Sequence, residues 1–146
     1  MSALPSANPS PTHTSARVPL IGLLRGLLLA EAVATLVLAI FLSLLAGGEA
    51  DLGGSVAADT ETSLRFAAGG AFLFAIFAAV ASRGARRRRA WAWTMAAILQ
   101  VLLAIGTGVA VMAAEWHPLY LIGFAMAAVV MIVLSTGPVR HALGQD

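Results

Sequence analysis

Four long apolar stretches, at about residues 20–45, 64–81, 91–113 and 119–136, dominate this chain and constrain its fold more than any other feature. The cleanest part of the first, Gly26 to Leu45, is 20 residues. As a helix it measures about 30 Å, the thickness of a bilayer core. A backbone in lipid must satisfy its own polar groups, so such stretches cross as helices. Composition agrees: 60% of the 146 residues are hydrophobic and 11% are charged, with a mean hydropathy of +0.89. Soluble domains carry about 25% charged residues. An ordinary soluble globule and a disordered protein are both excluded. The expected fold is an all-α membrane protein, an antiparallel bundle of four transmembrane helices.

The connecting segments set the organisation. Residues 1–19 hold four of the six prolines among Ser, Thr and Ala, and read as a disordered tail. The first apolar stretch exceeds a signal-peptide core of about 7–15 residues, so an uncleaved anchor is expected. Residues 46–63 carry Glu49, Asp51, Asp59, Glu61 and four glycines, and read as an irregular acidic loop. Its spacing does not match a calcium loop. The second stretch has Ala67, Ala71, Ala75 and Ala79 at four-residue intervals, a ridge that would let another helix come close. Gly22, Gly26 and Ala30 form a similar seam in the first stretch. Ala104 with Gly108 and Gly123 with Ala127 do so in the third and fourth. Gly137 and Pro138 stop the fourth helix, leaving residues 138–146 as a short cytoplasmic tail.

Arginines report orientation. With four spans, Arg17, Arg25, Arg83, Arg86, Arg87, Arg88, Arg89 and Arg140 share one side, and Arg65 alone lies on the other. The positive-inside rule then places both termini and the basic turn in the cytoplasm of a multi-pass plasma-membrane protein. Trp91 and Trp93 at one face and Trp116 and Tyr120 at the other are expected as interfacial belts. The pI near 10.5 reflects the run at Arg83 and Arg86–Arg89, a topology determinant. It does not indicate nucleic-acid binding. The run would also attract anionic lipid at about 1 kcal/mol per residue.

Chemistry-bearing residues are few. The absence of cysteine excludes thiol catalysis, disulfides and cysteine-ligated metals. His13, His117 and His141 fall in separate segments and share no metal site. No catalytic residue, metal site or cofactor site is identified. Glu31, Thr35 and Gln100 are the polar residues at membrane depth. A charge at the bilayer centre costs about 2.5–3.5 kcal/mol, which makes an intramembrane acid a functional candidate. Glu31 and Gln100 lie at comparable depth and are expected to face each other, with a protonated Glu31 hydroxyl donating to the Gln100 carbonyl. Thr35 shares the face of Glu31 one turn on. Arg25 is expected to snorkel to the interface.

Two resemblances bear on function. LLLAEAVATLVLA with Glu31, RRAWAWTMAAILQ with Gln100 and the terminal TGPVRHAL resemble small, uncharacterised four-helix integral membrane proteins of actinobacterial type, over about residues 20–142. That likeness implies a membrane protein without an assigned activity. Leu29-Ala30-Glu31 followed by Thr35 is similar to the first helix of the small multidrug resistance transporters. It implies proton-coupled efflux through Glu31. The chain departs from that family in its length, its acidic loop, its tail and its one-sided arginines. The leading expectation is a non-enzymatic membrane protein, structural or accessory to a complex. A small transporter using Glu31 is the alternative. The bilayer is the partner implied directly; a second copy or another membrane protein is left open.

Overall fold

A computed structural model describes residues 17–52, 55–113 and 119–144. Residues 1–16 of the proline-rich tail, with His13, and the Trp116–His117 connection lie outside the described residues; the last three residues of the expected tail, Arg17 to Pro19, instead begin α1. The order is α1 (Arg17–Leu52), α2 (Ser55–Arg86), α3 (Ala90–Ala113), α4 (Leu119–Ser135) and the short α5 (Gly137–Ala142). Among the described residues, three helices are long and apolar enough to cross a membrane: Leu20–Gly48, Ala58–Arg86 and Ala90–Met112. The fourth, α4, is apolar and shorter, 17 residues or about 26 Å.

The irregular loop expected over 46–63 is corrected: α1 runs on to Leu52 and α2 starts at Ser55. Glycines cost a helix about 1 kcal/mol each, yet Gly47 and Gly48 lie within α1. Ala46 is buried. At the start of α2, the Thr62 hydroxyl donates to the Ala58 carbonyl, and Arg65 pairs with Glu61 one turn earlier at 2.6 Å. The lone arginine of this end thus stays on its own helix.

α1 and α2 pack against each other along most of their length. The buried face of α2 carries Ala68, Ala75, Ala78, Ser82 and Ala85, with Ala71 half-buried between them. These steps alternate three and four residues. Ala67 and Ala79 are exposed, so the every-fourth ridge does not form the contact. Four residues turn a helix by about 400°, so a strict four-residue ridge walks round by about 40° per step. Alternating threes and fours drifts by only about 20° per heptad and keeps facing one partner. Gly22, Gly26 and Ala30 are also exposed, and a Cβ at either glycine would touch nothing within 4 Å. Gly123 behaves as expected of a close approach: a Cβ there would lie 2.9 Å from Thr107 Oγ1 on α3.

The best-packed core sits at the Arg-rich end. Leu24 and Leu28 of α1, Ala78, Ala81 and Ala85 of α2, and Ala92, Ala96 and Leu99 of α3 meet there with Val130 and Leu134 of α4. The short tail expected over 138–146 contains a further helix. Residues 137–142 form α5, whose Val139, with Leu143 just after it, is fully buried in the core. Two apolar residues four apart share one helix face, which anchors a segment too short to show periodicity. The basic run makes a tight turn rather than a loop. Arg88 takes a left-handed conformation (φ 50°), the Arg89 amide donates to the Gly84 carbonyl and the Arg88 amide to that of Ala85. This is a Schellman cap with arginine in the place usually held by glycine.

Elsewhere the surface is apolar. Leu44, Phe66, Met112 and Ile132 are among many large side chains left open. Such an area would drive aggregation in water, but lipid matches it. The protein is a multi-pass integral membrane protein in contact with the bilayer.

Candidate functional site

Among the described residues, Glu31 on α1 and Gln100 on α3 are the two buried polar side chains at mid-helix depth, 4% and 1% exposed. The structure brings them together: Gln100 Nε2 donates to Glu31 Oε2 at 2.8 Å. The direction is the reverse of the one expected, because the amide rather than the carboxyl supplies the hydrogen. Glu31 Oε1 and Gln100 Oε1 are buried with no hydrogen-bond partner. Unpaired buried oxygens are costly.

Thr35 does not join this bond. Its hydroxyl donates to the Glu31 backbone carbonyl at 2.7 Å, within its own helix. Beside the pair lies a cavity of about 340 Å³, lined by Glu31, Thr35 and Leu38 of α1, Phe74, Leu103, and Ile122 and Met126 of α4. It lies away from the packed Arg-rich core. The only polar side chains on its wall are Glu31 and Thr35, so it suits an apolar occupant with one hydrogen-bonding group.

At the Arg-rich end, Arg83 and Arg86 to Arg89 are all exposed. Trp91 is 41% exposed, and its ring covers Gly84, where a Cβ would come within 2.7 Å of it. Trp93 is half-buried, and its indole N–H donates to the Leu134 carbonyl at 3.0 Å. Leu134 lies in the last turn of α4, where carbonyls lose their helical donors, and Pro138, four residues on, has no N–H to offer. Trp93 therefore ties α3 to the end of α4. Tyr120, near the start of α4, is half-buried; Trp116 lies outside the described residues.

Sequence reasoning missed the Trp93 tie, the buried Val139 and Leu143, and the cavity beside Glu31. A proline four residues after a carbonyl in a helix's last turn, with an indole at matching depth, is the signal for the first. No protein-family model, curated protein or solved structure matches the chain.

Proposed function

We propose that the chain crosses the plasma membrane four times with both termini in the cytoplasm, and that it is a non-enzymatic component, structural or accessory to a membrane complex. The hydrogen bond between Glu31 and Gln100 is the observation that carries the functional part. The single acid at membrane depth is engaged in joining α1 to α3. On the Arg-rich side, Leu24, Leu28 and Leu134 are packed to 1% exposure or less. α4, at about 26 Å, spans with modest local thinning of the bilayer.

Orientation rests on the eight-to-one arginine distribution. The chain has no native cysteine, so single cysteines report sidedness cleanly. Asp59→Cys should react with a membrane-impermeant maleimide in intact cells. Arg87→Cys should react only after permeabilisation. The reverse pattern contradicts the orientation.

One observation favours a second reading. The 340 Å³ cavity touches Glu31 and Thr35, as a small proton-coupled multidrug-type transporter would require. Purified protein in vesicles under a pH gradient separates the two. The structural reading predicts no uptake of a lipophilic cation by the parent chain or by Glu31→Gln. Uptake by the parent that is abolished in Glu31→Gln would replace it with the transporter.

A further inference from the structure

A second cavity, of about 280 Å³, lies between α1 and α2 at the Arg-rich end, lined by Arg25, Leu29, Ala79, Ser82, Arg83 and Arg86. Three arginines from two helices line it. Among the described residues none of the three pairs with a carboxylate; the ion pair seen is Arg65 with Glu61, toward the other end of α2. The wall toward the membrane is apolar, and Leu29 is 40% exposed. We infer that this cavity is a specific site for the headgroup of an anionic phospholipid carrying two phosphate groups, with its acyl chains running out over Leu29 and Ala79.

The chemistry follows from the lining. Guanidinium forks match phosphate oxygens bidentately, and three of them exceed what one phosphodiester charge neutralises. The volume accommodates a headgroup but not the chains, which lipid-facing Leu29 and Ala79 receive. Basic pockets between helices at a membrane face recognise such headgroups. Ser82 fixes the geometry of the pocket: its hydroxyl donates to the Arg25 backbone carbonyl at 3.4 Å, holding the two helices at this level. Arg87, Arg88 and Arg89 lie beyond the lining, so the site is distinct from general attraction by the basic run. The inference rests on the reading that this end meets a membrane surface.

Native mass spectrometry of the full chain in detergent tests it, titrating diphosphatidylglycerol, phosphatidylglycerol and phosphatidylcholine. The parent should retain one diphosphatidylglycerol preferentially. Arg83→Ala and Arg86→Ala should each weaken retention about tenfold, the loss of one charge-assisted contact, and Arg25→Ala should act likewise. The Arg87→Ala/Arg89→Ala double variant should change it less than about twofold. Helical circular dichroism checks that each variant folds. Equal losses from the cavity and turn variants would overturn the site in favour of diffuse attraction. Displacement by inorganic pyrophosphate as readily as by lipid would overturn it in favour of an aqueous anion site. The detergent measurement does not depend on sidedness, so a failed cysteine-labelling result leaves it standing and the converse also holds.

Discussion

Buried hydrogen-bonding groups set what single residues do here. Trp93 donates to the Leu134 carbonyl, which lies beyond reach of any helical donor. Trp93→Phe keeps an aromatic ring but removes the donor together with part of the indole's contact area, so it should cost at least about 1 kcal/mol in reversible unfolding from mixed micelles. Trp91→Phe, at an exposed position with no such bond, should stay within about 0.5 kcal/mol. Equal costs would show that the ring contacts alone matter. Thr35 spends its hydroxyl on its own helix, a local choice that sequence position could not separate from a bond to the Glu31 carboxyl.

Between elements, seam periodicity and capping govern the packing. Ala78 is fully buried against its neighbours while Ala67 faces outward. Ala78→Leu should therefore overpack the bundle by about 1–3 kcal/mol, and Ala67→Leu should be nearly silent. The opposite ranking would restore the every-fourth ridge. Arg88 holds the left-handed position that closes α2. A left-handed residue other than glycine costs about 1–2 kcal/mol, so Arg88→Gly should stabilise the protein by roughly 0.5–1 kcal/mol. A loss of stability in that variant would mean that the arginine side chain makes a contact outweighing its strain.

At the scale of the whole molecule, the apolar stretches and the depth match of Glu31 with Gln100 were legible in the sequence, because hydrophobic length and axial rise are set locally. Three features were not. The continuation of α1 through Gly47 and Gly48 to Leu52, and the start of α2 at Ser55, run against local glycine propensity and polarity, the signals a sequence reading has to use there. Burial of Val139 and Leu143 depends on a receiving core built from four other helices. The donor in the Glu31–Gln100 bond depends on rotamers rather than spacing. Cavities arise where helices diverge, and no residue pattern in one helix encodes that.

The central claim is that Glu31 and Gln100 act as a structural pair joining α1 to α3. A double-mutant cycle on unfolding free energy, with Glu31→Ala, Gln100→Ala and the double variant in mixed micelles, tests it most directly. Hydrogen bonds between membrane helices average about 0.6 kcal/mol and reach about 1.7. The account predicts a coupling in that range, with each single variant destabilised. Additive losses, with no coupling between the two sites, would contradict it.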